Sequence, residues 1–157
     1  MGGCAATETV IADFGLRIDM TSPVTRDVLQ RRMRSLAVAT IQMTSELPPT
    51  RAADVIGRQL VRSVTSVAAN YRAACRARSR RDFIAKMGIV EEEADETAFW
   101  LDLLCECSLA SAPRIAPLRL ETGELLAITV ASIRTARMGR GVRRANPQSA
   151  IRNPQCS

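Results

Sequence analysis

The feature that most constrains this chain is a stripe of apolar residues spaced alternately four and three apart. It is clearest in Phe83, Met87, Val90, Ala94, Thr97, Leu101 and Leu104. An α-helix brings such positions onto one face, and a stripe this narrow needs a neighbouring helix to cover it. Leu29, Met33, Leu36, Thr40, Met43 and Leu47 repeat the spacing. Ala53, Ile56, Leu60, Val64, Val67, Tyr71 and Ala74 run along a further face. A fourth, less regular set is Leu125, Leu126, Ile128, Thr129 and Ile133.

The punctuation between the stripes sets the expected boundaries. Ser22 is expected to cap the first helix, with Pro23 at its first position and Asp27 in its first turn, and Pro48-Pro49 to stop it. Thr50 and Ser79 are expected to cap the second and third helices, the second reaching about Arg78. Two prolines make Ser108–Pro117 read as a connection, so the fourth helix is expected from about Leu118 to Met138. Gly88 inside the third helix should cost about 1 kcal/mol relative to Ala unless close packing needs it. Four amphipathic helices with short connections predict an all-α fold, an antiparallel up-down-up-down four-helix bundle over residues 22–138. At 1.5 Å per residue its longer helices would span roughly 40 Å.

The flanks read differently. Residues 1–21 show no sustained period and are expected to be loose, or to pack only locally through Val10–Ile18. Residues 139–157 carry Asn-Pro-Gln twice, at Asn146 and Asn153, in a basic setting. Such a tail buries too little surface to offset its ordering entropy and is expected to be disordered.

Composition then limits the chemistry. The chain has no histidine, so no imidazole base, histidine metal ligand or Ser-His-Asp triad is available within it. The Glu-x-x-His pairs of di-metal bundles are equally missing. No nucleophile–base pair, phosphate loop or metal-ligand spacing occurs, so no catalytic residue, metal or cofactor is expected. The five cysteines are odd in number and form no CxxC pair, which suits reduced thiols in a cytoplasmic protein. No secretory signal is seen, and the longest apolar stretch, Leu125–Ile133, is far short of the roughly 20 residues that span a membrane. The net charge of +6 is matched by Arg134, Arg137, Arg140, Arg143, Arg144 and Arg152, in a last stretch without an acid. The residues before them are formally near neutral.

Antiparallel pairing of helices two and three places Arg62 opposite Asp95 or Glu96, Ser66 near Glu92, and Asn70 near Met87. Glu92 and Glu96 share a face, as do Arg62 and Ser66. A partly buried ion pair of Arg62 with Glu92 or Glu96 would fix register. The alternatives are a solvated face, or a carboxylate cluster for metal or acid–base work that lacks partners at that height. Asn70, mid-helix, is expected to bond to backbone or across helices. Trp100 and Tyr71 are expected to pack within the bundle or at a subunit contact.

Across Arg58–Leu104 the chain carries Arg58-Gln59-Leu60, Arg62-Ser63, Thr65-Ser66, Ala69-Asn70-Tyr71, Ala74, Ala77-Arg78-Ser79, Asp82-Phe83-Ile84, Lys86, Ile89, Glu93-Ala94, Glu96-Thr97 and Trp100-Leu101. This pattern resembles the bacterial four-helix bundle proteins first noted as products of intervening sequences in 23S ribosomal RNA genes, often labelled S23 ribosomal proteins. A weaker resemblance extends over residues 24–137. Ala68 stands where a glycine is common and Ala73 where an acid is common. The resemblance implies an antiparallel bundle, often a homopentamer. The family includes accessory proteins of diversity-generating retroelements, which associate with a reverse transcriptase and bind nucleic acid. The ribosomal label reflects gene location.

Two functions from different classes follow as expectations. One is an oligomeric nucleic-acid-binding or reverse-transcriptase accessory protein. Its local basis is the hairpin tip, where Arg72, Arg76, Arg78, Arg80 and Arg81 read as a cluster without an acid. Repeated around a ring, they would form a belt for RNA or DNA phosphates. The same arginines would also complement the helix-two dipole while staying solvated. The other function is a scaffold acting only through protein contacts.

Overall fold

The computed structural model describes residues 25–138, which form four helices. These are α1 (Arg26–Thr44), α2 (Arg51–Ala74), α3 (Arg80–Glu106) and α4 (Ala112–Met138). Contacts join α1 to α2, α2 to α3, α3 to α4 and α4 back to α1, with none across the diagonals. That is the antiparallel square of an up-down-up-down bundle. The expected N-terminal segment 1–21 and the tail 139–157 lie outside the described residues.

The stripes meet along the axis. Met43, Leu60, Val64, Val90, Leu101 and Leu104 are fully buried, and Leu36, Val67, Met87 and Leu125 nearly so. Phe83, which opens the α3 stripe, is only partly buried, because it lies at the open end of the bundle. Gly57 lets the connection after α1 lie close against α2: a methyl group there would sit 3.3 Å from Leu47 Cδ1.

Two of the three expected caps are present. The Thr50 hydroxyl accepts from the Ala53 amide at 3.2 Å, and the Ser79 hydroxyl from the Asp82 amide at 3.1 Å. Helix α1 begins later than expected. Thr25 caps it by accepting from the Val28 amide at 3.3 Å, while Ser22 and Pro23 lie outside the described residues. Helix α2 ends at Ala74, short of Arg78.

The largest correction concerns the α3–α4 connection. Residues 108–117 were expected to be a linker, yet α4 starts at Ala112 and takes in Pro113 and Pro117. Proline is tolerated in a first turn, whose amides have no intrahelical acceptor. Pro117 removes one donor a turn further in, between Ile115 and Leu118, both buried. The turn is short because α3 ends in a Schellman motif. The Leu109 amide donates to the Leu104 carbonyl at 2.9 Å and the Ser108 amide to that of Cys105 at 3.0 Å. Ser108 sits at φ 54°, where glycine is usual, so the sequence gives no sign of the stop. Leu109 folds back onto the core and completes the motif.

Candidate nucleic-acid interface

The bundle separates its cations into two kinds, paired and unpaired. In the middle, Arg32 of α1 reaches α4 and donates from Nε to Glu121 at 2.8 Å and from Nη2 to Glu121 and Glu124 at 2.8 and 2.6 Å. Glu121 is 2% exposed. The Glu121 hydrogen bond holds the Arg32 guanidinium above its ordinary pKa, against the opposing effect of burial. Sequence reasoning missed this cluster, because Glu121 looks like one acid among several on an irregular helix. The available signal was its position, three residues after Leu118 and four before Leu125, inside the buried stripe.

Arg62 lies 3.9 Å from Glu96, at the expected height. The contact is peripheral, with side-chain exposures of 62% and 33%, rather than partly buried. Glu96 also accepts from Trp100 Nε1 at 3.0 Å, and Trp100 packs against the core. Glu92 is exposed and forms no ion pair among the described residues. Asn70 donates to the Ser66 carbonyl and to the Ser66 hydroxyl, both at 3.0 Å, so these two residues interact within α2 and not across to α3. The buried polar contact between α2 and α3 is instead Thr97 Oγ1 to Ser63 Oγ at 3.0 Å. Arg119 donates to both carboxylate oxygens of Asp102 at 2.9 Å, Arg58 pairs with Asp54, and Arg114 pairs with Glu46 at the far end.

The hairpin end is different. Arg72, Arg76, Arg78, Arg80 and Arg81 are all exposed, and none forms an ion pair among the described residues. The tip does contain an acid, contrary to expectation. Asp82 accepts from Lys86 Nζ and from the Arg78 amide. The Lys86 hydrogen bond, followed by that of the Arg78 amide, holds the Asp82 carboxyl below its usual range. Asp82 is thus engaged by Lys86 and backbone, leaving the five guanidinium groups open.

The topology adds further cations to this end. The first turn of α1 brings Arg26, and the last turns of α4 bring Arg134 and Arg137, all exposed. Arg26, Arg80 and Ala136 line one cavity, which places α1, α3 and α4 together there. Tyr71 closes it from α2, 6% exposed. Burial, reinforced by the neighbouring Cys75, pushes its phenol well above the ordinary value, so it stays a protonated donor.

A family model for the 23S rRNA-intervening sequence protein matches residues 27–131. This chain belongs to that family. Among solved structures it is similar to a protein of unknown function from the S23 ribosomal protein family of Bacteroides thetaiotaomicron. The two share 29% identity over 69% of this chain and 97% of the other, with a TM-score of 0.65. Comparison with curated proteins finds no match. Among the described residues no helix is long and apolar enough to cross a membrane, and no group of acidic or cysteine side chains could hold a metal ion.

Proposed function

We propose that this family member is a non-enzymatic, oligomeric helical bundle that binds RNA or DNA through the hairpin end. A reverse transcriptase or similar nucleic-acid enzyme would be its partner, and the cytoplasm its setting. One observation carries the reading. The α2–α3 tip gathers five exposed arginines without an acidic partner, whereas elsewhere Arg32, Arg58, Arg62, Arg114 and Arg119 are paired with Asp or Glu and the unpaired Arg31, Arg34 and Arg51 are not gathered in one such cluster. Unpaired guanidinium groups on one surface attract a polyanion and contact its phosphates, a mode that is sequence-independent and weakened by salt. Base stacking has little support, since Phe99, 55% exposed, lies on α3 away from the arginine end.

Binding of labelled RNA and DNA over a salt series tests this, using the full chain and a chain ending at Met138. Binding that survives truncation and falls steeply with salt is expected. Binding that vanishes with the tail would reduce the interaction to a cationic extension.

A second reading, a scaffold acting through protein contacts alone, is favoured by exposed apolar side chains. Phe99 is 55% exposed and stacks edge-on against Trp100, and Leu120 is 61% exposed. Mass measurement at micromolar concentration, with nucleic acid removed, separates the readings. An oligomer that ignores RNA and DNA supports the scaffold.

A further inference from the structure

The outer side of α3 carries acids that the bundle leaves without cations. Glu91, Glu92 and Asp95 lie within little more than one turn, and none forms an ion pair among the described residues. Glu92 and Asp95 are exposed, and Glu91 is half-buried. Glu91, Asp95 and Asp102 recur at spacings of four and seven, which places them on one flank of α3. Asp102 shows which flank it is, because it accepts from Arg119 of α4. Glu91 and Asp95 therefore border the α3–α4 groove. The antiparallel register set by Asp102 and Arg119 puts Asp95 level with Leu126 and Glu91 level with Val130. Leu126 packs on the core, Val130 is exposed, and no cation of α4 pairs with either carboxylate.

A stretch of unpaired positive charge begins at the near end of this groove. Helix α4 closes at Met138, beside the start of α3, where Ala136 and Arg80 line one cavity. Residues 139–157 follow, with Arg140, Arg143, Arg144 and Arg152 and no acid. Gly139 and Gly141 let the backbone reverse at once. From the level of Met138 back to Glu91 and Asp95 is roughly 12 and 18 Å, at a rise of about 1.5 Å per residue. Arg143 and Arg144 follow Met138 closely enough to reach roughly 16–22 Å along an extended chain. Charge and length therefore match.

We propose that the basic tail turns back along the α3–α4 groove and docks on the outer side of α3, with Arg143 and Arg144 against Glu91 and Asp95. A tethered segment meets its site at an effective concentration of about millimolar, which favours the tail over the tip arginines of a second copy. Ion pairs this exposed are individually weak, so the docked tail is released by salt. The inference does not depend on nucleic-acid binding, and failure of that reading leaves it standing.

Limited trypsin digestion of the full chain, freed of nucleic acid and read by mass spectrometry, tests this. A free peptide of residues 139–157 supplies trypsin's own response to salt. At low salt, cleavage after Arg143 and Arg144 should be about tenfold slower in the chain than in the peptide. High salt should bring the two rates together. The variant Glu91→Gln/Glu92→Gln/Asp95→Asn should be cleaved at the peptide's rate even at low salt, with helix content by circular dichroism unchanged. Should that variant unfold, the salt-dependent protection of the parent chain still decides. Equal rates for chain and peptide at low salt, or protection that persists in the folded triple variant, overturn the proposal. Protection that grows with protein concentration also overturns it, because a second copy then fills the groove.

Discussion

The middle of the bundle and its hairpin end use arginine in opposite ways. In the middle, Arg32 sits between Glu121 and Glu124, and towards the far end Arg119 sits against Asp102, each guanidinium spent on a carboxylate of another helix. At the hairpin end, five arginines face solvent, and the one tip acid, Asp82, is taken by Lys86 and a backbone amide. Paired cations fix how helices meet; unpaired cations are free for something outside. Changes in the middle should therefore alter stability and spare binding, and changes at the end should do the reverse.

The sharpest contrast comes from Arg32. Arg32→Met leaves Glu121 buried without its partner, which should cost about 3–5 kcal/mol in chemical denaturation. Replacing all three partners, with Glu121→Leu and Glu124→Gln added, should recover most of that loss. No recovery would mean the cluster does more than neutralise itself. Next in size is the hairpin end. Arg72→Glu/Arg76→Glu/Arg78→Glu should weaken RNA or DNA binding about a hundredfold at low salt, at about 1 kcal/mol or more per lost contact, with the melting temperature little changed.

Smaller effects refine the picture. Ser63→Ala should cost about 1 kcal/mol or less, because it removes the contact between α2 and α3 while the Thr97 hydroxyl keeps the Glu93 carbonyl as acceptor. Gly88→Ala should stabilise by up to about 1 kcal/mol, since a methyl group there meets nothing within 4 Å. Arg62→Gln should change stability by less than about 1 kcal/mol, because its pair with Glu96 is long and exposed. A larger loss would show that this pair belongs with the cluster around Arg32.

These sites also mark how much the sequence discloses. The α3 stripe, the Thr50 and Ser79 caps and the hairpin register are local or periodic, and all can be read from residue spacing. The start of α4 is hidden because two separate exceptions coincide. A serine takes the left-handed position at the end of α3, and prolines occupy the first turns of the next helix. The Arg32 cluster is hidden for a different reason. It joins residues 89 and 92 positions apart, across the α1–α4 seam, and no short-range pattern reports on that pairing. The hairpin arginines were legible as a group. That Asp82 leaves them unopposed depends on the geometry of one cap and one lysine, which the residue order alone does not fix.

The most direct measurement compares charge reversal at the two ends of the bundle in one RNA- and DNA-binding series at several salt concentrations. Arg72→Glu/Arg76→Glu/Arg78→Glu is set against Arg51→Glu/Arg58→Glu/Arg114→Glu, both in the chain ending at Met138. The account predicts that the hairpin variant loses affinity and flattens the salt dependence, while the far-end variant binds nearly as the parent does. Equal losses from both variants, or none from either, would contradict a phosphate-binding surface at the hairpin end.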